Sequence, residues 1–354
     1  MNFSPRHYAL PALVALALYL AGTAWVGERQ HWVAISPYPS EHFMALATHP
    51  DGRFFAGAQS GAVLERGPAG DWQLHNTGLP AITWLRPDGD GLIAGTIAGV
   101  YHSTDGRDWQ PVEDGLPDDL WVLQFEPLPD SLTLLSPDRG LFRRGTDGQW
   151  QADHRRGLPP GVHIYHYARD HRGGDHVGTV GEGAWYREHT DADWQPNREG
   201  LHRNARGFSL LAREGGVILG SDRGAWWQAA PGQRWHALGT GQHGFRVLDL
   251  AVDDQDRVWA ASDEGIWVAR ESDPDGRPTP WENVPVRDGP QAPVSRFHIT
   301  DDDHLAAAGA IYRLERDTSH RVPVLVIALL AAVLTWGIMQ LPAITSRNTP
   351  SGHR

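Results

Sequence analysis

The chain has no cysteine and no lysine. The first absence excludes disulfides, thiolate metal sites and a cysteine nucleophile. The second leaves all 31 basic residues as arginine, a bias that a GC-rich coding sequence accounts for. They are outnumbered by 43 acidic residues, for a net charge of −12, and no dense basic run occurs. Nucleic acid is therefore excluded as an expected partner. A dinucleotide loop is also missing: Gly181-Glu182-Gly183 lies between strand-like segments and no helix follows it.

Tryptophan, glycine and proline are plentiful, at 16, 40 and 26 residues among 354. Seven of the tryptophans mark a repeat. Trp32, Trp72, Trp109, Trp150, Trp194, Trp235 and Trp281 are spaced 37 to 46 residues apart. A period near 40 residues with several strands per unit is the mark of a β-propeller. Each unit opens on an apolar pair three residues apart: Phe43/Leu46, Ile82/Leu85, Val122/Phe125, Val162/Tyr165, Phe208/Leu211, Val247/Leu250 and Val294/Phe297. A second short strand, a polar turn and a third strand opened by glycine follow, as in Gly224-Ala225-Trp226-Trp227. The tryptophan strand ends the unit. Gly-Leu-Pro turns at 78–80, 115–117 and 157–159 lead onward, with glycine supplying unusual dihedrals and proline fixing φ.

The seventh unit supplies only three strands, Val294–Thr300, His304–Ala308 and Ala310–Leu314. Its tryptophan strand is found at the other end of the chain, at His31–Ile35. The prediction is an all-β, seven-bladed propeller closed by an N-terminal strand, which removes the free edges of an open sheet.

Two long apolar runs flank the repeats, Tyr8–Val26 and Val322–Ile344. Each is long enough to span a bilayer as a helix. Ala-Gly-Thr-Ala at 21–24 would alternatively suit signal cleavage. Ala17/Ala21 and Ala328/Ala332 are small pairs that permit close helix approach. Arg6 and Arg347 lie outside the two runs, so both termini are expected in the cytoplasm. The expected organisation is a cytoplasmic N-terminus over 1–7, transmembrane helices over 8–26 and 322–344, a propeller over 27–320, and a cytoplasmic tail over 345–354. The propeller would then lie in the periplasm, anchored to the inner membrane of a bacterium.

The units resemble the BNR/Asp-box repeats of sialidase-like, sortilin-like and YCF48-like propellers. Ser103-Thr104-Asp105-Gly106-Arg107-Asp108-Trp109 stands where the Asp box Ser-x-Asp-x-Gly-x-x-Trp would, one residue short, and Thr146-Asp147-Gly148-Gln149-Trp150 is shorter still. Val247–Val268 is similar to the propeller repeats of two-component regulators, with Asp256-Arg257-Val258-Trp259-Ala260 and Asp263-Glu264-Gly265-Ile266-Trp267. The resemblance implies a propeller over about 31–315. Sialidases carry an early Arg-Ile-Pro motif, which this chain lacks. The resemblance to sialidases also implies a Tyr–Glu nucleophile pair, and nothing in the spacing pairs a tyrosine with a glutamate here; glycoside hydrolysis needs two such groups converging on one bond.

The loops into the innermost strands of units four to six carry Arg155 and Arg156, Arg203 and Arg206, and Arg246. His154, His202 and His243 accompany them. Guanidinium groups fork onto oxyanions, so this face would suit a small anionic ligand or an acidic partner segment. Solvated loops with arginine in place of lysine account for the same residues. His163, His166, His171 and His176 form the densest histidine group, near Asp170 and Asp175. Strand alternation puts His163 and His166 on opposite faces, with Tyr165 and Tyr167 on the face of His163. That reads as a packed strand and a polar turn rather than a metal site. No metal, cofactor or catalytic residue is assigned. The expected role is a scaffold or assembly factor for a membrane or envelope protein. The alternatives are a ligand sensor acting through a separate signalling partner and a sialidase-like glycosidase or glycan-binding protein.

Overall fold

The computed structural model describes residues 29–317, apart from 130, 240–244, 274–275, 288–292 and 301–303, together with Leu16. The chain divides into one unit of Trp32–Leu314 and another of Met1–His31 with Glu315–Arg354. The expected membrane segments at 8–26 and 322–344 and the tails at 1–7 and 345–354 lie outside the described residues, Leu16 aside. Among the described residues no helix is long and apolar enough to cross a membrane.

The strands form seven sheets, six of four strands in sequence order and one of five. The innermost strands are Phe43–Thr48, Ile82–Asp88, Gln124–Leu128, Ile164–Arg169, Gly207–Arg213, Val247–Val252 and Arg296–Ile299. Second strands such as Phe54–Ala58, Gly91–Thr96 and Gly216–Ser221 are buried throughout. A blade is covered by a neighbour on each side, so these strands read as continuous apolar runs rather than alternating ones. The blades also approach closely. A Cβ on Gly57 would meet Ile82 Cγ2 at 2.4 Å, and one on Gly95 would meet Val122 Cγ1 at 2.5 Å. The opening residue of one blade thus fills a gap left by glycine in the blade before it.

The seventh blade closes as the tryptophan count predicts. Its order is Val286–Arg287, Arg29–Ala34, Ala310–Asp317, His304–Ala308, Arg296–Ile299. Ile35 N–H donates to Ile311 O at 2.8 Å, and Phe43 N–H donates to Gly309 O at 2.8 Å. The outermost strand, Val286–Arg287, adds a fifth strand to the four that the repeat predicts. It pairs in parallel with the N-terminal strand, Trp32 opposite Val286, and Trp32 N–H donates to Pro285 O at 3.0 Å. Two residues carry too little periodicity to announce a strand. Each of the seven repeat tryptophans belongs to a different buried apolar cluster. They are packing residues, one to each.

Two of the seven opening pairs are corrected. In the fourth blade the pair is Ile164/Tyr167, not Val162/Tyr165, and in the fifth it is Gly207/Leu210, not Phe208/Leu211. Gly207 stands where other blades place an apolar side chain. A Cβ there would meet Leu219 Cδ1 at 2.9 Å and the Gly178 Cα at 3.0 Å. Both strands also shift register after their first residue, between Ile164 and His166 and between Gly207 and Ser209. Such a bulge breaks period-two alternation. Tyr167 is consequently fully buried while His163 is exposed, so the two do not share a face.

Candidate functional site

The loops into the innermost strands lie at the same end of each blade as the turn between its second and third strands. In the fifth and sixth blades a repeated clamp joins the two. Asp222 Oδ1 accepts from Arg206 N–H at 3.0 Å, and His202 Nε2 lies 3.0 Å from the same oxygen. Asp263 accepts from Arg246 N–H at 2.7 Å and from its Nε at 2.9 Å. Arg155 donates to the Asp138 carbonyl at 2.8 Å and to that of Val162. These side chains fasten loops to turns. Arg203 is exposed, and its side chain has no partner among the described residues.

Arg156 belongs elsewhere. It pairs with Asp193 at 2.9 Å and donates to the Asp191 carbonyl at 2.9 Å. Those aspartates sit in the turn between third and fourth strands, at the opposite end of the blade. His243 lies outside the described residues. The sequence-predicted cluster is thus divided: Arg155, Arg203, Arg206, Arg246 and His202 share one end, and Arg156 does not. The same end carries an apolar pair that loop composition did not single out, Ile97 and Trp121, which are 50% and 39% exposed. They flank two backbone bonds, Gly99 N–H to Leu120 O at 2.8 Å and Val122 N–H to Thr96 O at 2.9 Å.

The histidine group is dispersed. His176 is buried with its Nε2 3.0 Å from Asp170, and Asp175 belongs to an arginine network. Among the described residues no three histidine or acidic groups are placed to hold a metal.

The innermost strands surround a central channel of about 380 Å³. Counting from each strand's opening residue, the third position faces it in most blades. Ala45, Trp84, Gln124, His166, Asp249 and Arg296 stand there, with Arg86, Glu126 and His298 two residues further on. Three of these side chains stitch blade to blade. Gln124 donates to Tyr167 O and accepts from Tyr167 N–H, both at 2.9 Å. His166 Nδ1 accepts from Leu210 N–H at 3.2 Å, and Asp249 Oδ2 accepts from Phe297 N–H at 2.7 Å. In each case the partner is the fourth position of the next blade. Polar groups in the channel therefore satisfy backbone that a propeller's ring leaves unpaired between sheets. His298 similarly meets Thr48 Oγ1 at 2.8 Å across the closure.

Burial sets the charge states. It pushes His166 down to about 3, helped by the charge of Arg296, and His298 down to about 4, so both imidazoles are neutral at physiological pH. Burial lifts Glu126 to about 7 and raises Asp249. Arg296 stacks on Trp84, its guanidinium carbon 4.1 Å from the ring centroid. The channel set was readable in principle. Once an opening pair is fixed, the third position follows from it. The two misplaced pairs hid His166 and left the ring unread.

No protein-family profile and no curated protein matches the chain. Solved structures do match, at identities that establish the fold alone. The extracellular domain of a putative hybrid two-component system from B. thetaiotaomicron superposes with a TM-score of 0.66 at 17% identity. It covers 81% of this chain, and this chain covers 39% of it. YCF48 from Cyanidioschyzon merolae gives 0.62 at 16% identity, covering 80% of this chain and 98% of its own. A catalytically inactive virginiamycin B lyase from Staphylococcus aureus gives 0.64 at 8% identity, covering 81% and 99%. A β-propeller is thus shared by the extracellular domain of a putative two-component system, YCF48 and a lyase, and the residues of this chain must decide its role.

Proposed function

We propose that the chain is an extracytoplasmic propeller that binds a segment of a membrane or envelope protein on its clamped loop face. The observation that carries this reading is the exposed Trp121 and Ile97 pair on that face. Tryptophan is enriched among the residues that anchor protein contacts, and an apolar neighbour beside it adds to the contact area. The backbone bonds from Gly99 to Leu120 and from Val122 to Thr96 hold these two loops in place before binding, which lowers the entropic cost of association. Arg203, exposed and without a side-chain partner among the described residues, adds a cation for an acidic residue of the partner. The likeness to YCF48, one structure of which is bound to a D1 peptide, supports a peptide-binding role.

A sensor acting through a separate signalling partner is the second reading, supported by the likeness to extracellular domains of hybrid two-component systems. The test places a photo-cross-linking residue at position 121 of the full chain in native membranes. A discrete protein adduct, lost when Ile97 and Arg203 are both changed to Glu, is the expected result. Absence of any protein adduct counts against the scaffold and leaves the sensor standing.

A further inference from the structure

We propose that the central channel binds a small oxyanion between the guanidinium groups of Arg86 and Arg296. Both line the channel. Neither donates a hydrogen bond from its guanidinium among the described residues, and Arg296 Nε is buried without a partner. Arginine does not lose its proton in proteins. Both residues are half-buried, and a partly desolvated guanidinium gains from a closely bonded counter-charge.

The acidic groups at hand are poor counter-charges. Asp249 Oδ1 lies 3.9 Å from Arg296 Nη1, beyond hydrogen-bond reach, and its other oxygen is held by Phe297 N–H. Near Arg86, Asp88 is bound by both terminal nitrogens of Arg144. Glu126 accepts from Gln124 Nε2 at 3.1 Å, and burial holds much of it protonated at neutral pH. Two cations thus face one cavity with little to neutralise them.

The geometry suits an oxyanion. Trp84 covers the face of the Arg296 guanidinium. Stacking uses the π-face and leaves the in-plane N–H groups for a forked contact with an oxyanion. Arg296 belongs to the seventh blade and Trp84 to the second, and the first blade places Ala45 and Ala47, with Leu46, on the channel between them. Arg86 is two residues beyond Trp84 on one strand, on the same side of it. Phosphate and carboxylate share the required chemistry.

Calorimetric titration of the full chain with inorganic phosphate and, separately, succinate tests the site. We expect saturable binding of at least one, weakened about tenfold or more in Arg86→Gln and in Arg296→Gln. Arg139→Gln, an exposed residue of an outer turn, should bind as wild type. Binding of phosphate alone identifies a phosphate site, and of succinate alone a carboxylate site. No binding of either, or equal affinity in both channel variants, overturns the proposal. A measurement on wild type covers the case in which a variant does not fold. The bound anion must protect Arg86 and Arg296 from phenylglyoxal while Arg139 reacts, and labelling unchanged by the anion overturns the site equally.

Discussion

Gly157 lies against the backbone of Trp194 so closely that a Cβ on it would meet the Trp194 carbonyl oxygen at 2.1 Å. Its φ is +91°, and the residue before it, Arg156, accepts a hydrogen bond from Trp194 N–H at 2.9 Å. The relation recurs one blade earlier, where a Cβ on Gly115 would meet the Trp150 carbonyl oxygen at 2.2 Å and Asp114 accepts from Trp150 N–H at 3.0 Å. The Gly-Leu-Pro turn therefore does more than set dihedrals. It seats the chain leaving one blade on the tryptophan of the next. Gly157→Ala should combine backbone strain with a steric clash and destabilise by about 2 kcal/mol or more. Gly78 has the same sequence context, but a Cβ on it would meet nothing within 4 Å. Gly78→Ala should cost less, since only its φ of +72° is at stake. Paired urea melts of the two variants check the difference.

Closure at Trp32 gives a second prediction. Trp32 is fully buried, edge-on to Trp259 at 5.9 Å and tilted against Phe297 at 6.1 Å. It joins the sixth and seventh blades in one cluster. Trp32→Ala should cost about 3–5 kcal/mol, the range for emptying a large aromatic site. Deleting 29–34 should do more, because it exposes the edge of Ala310–Asp317 to pairing with other chains. Light scattering on heating should show concentration-dependent association of the deletion, while Trp32→Phe remains monodisperse.

The frame of this fold was legible because tryptophan spacing and strand counting depend only on period. The missing strand at the C-terminal end and the spare one at Trp32 fitted together without any knowledge of contacts. What escaped was set by local geometry. The fourth innermost strand opens at Ile164, two residues after Val162, and the fifth opens at Gly207, where no apolar side chain marks the start, so the channel-facing positions of those two strands were displaced. The arginine cluster was visible as composition, yet its meaning depended on which turn aspartate each residue met. Arg206 and Arg246 met theirs at one end of the blades, and Arg156 met Asp193 at the other.

A buried ionic knot between the third and fourth blades should be costly to break. Asp175 accepts from Arg187 Nε at 2.8 Å, Arg143 at 3.0 Å, Arg169 at 2.8 Å and Tyr167 OH at 2.7 Å. Burial alone would raise its carboxyl, but these hydrogen bonds and the charges of Arg187 and Arg143 hold it below the usual range. A depressed folded value contributes stability above the unfolded pKa, and that stability is lost as pH falls through the folded one. Asp175→Asn leaves three guanidiniums short of a charge and should cost about 3–5 kcal/mol near neutrality. The deficit should shrink in acid, where wild type also loses the charge. Melting temperatures of both proteins across the acid range check this convergence.

Glu126 predicts the opposite slope. Burial lifts its carboxyl from 4.5 to about 7, against the opposing hydrogen bond from Gln124 and the charge of Arg86. A raised acid binds its proton more tightly in the folded state than in the unfolded one. Between the two values the folded protein holds more protons, so stability falls as pH rises, and the loss is complete above the folded value. The ceiling is on the order of 3 kcal/mol, reduced by whatever water the channel admits. Glu126→Gln keeps the shape and removes the titration. It should match wild type near pH ~5 and exceed it near pH ~8, with a flat profile between. Oxyanion binding at Arg86 should also tighten in this variant at the higher pH, because wild type then places a carboxylate beside the same guanidinium. Urea melts at the two pH values read the first effect, and phosphate titration at the higher pH reads the second. A profile for Glu126→Gln parallel to that of wild type would show that the channel carboxyl titrates normally.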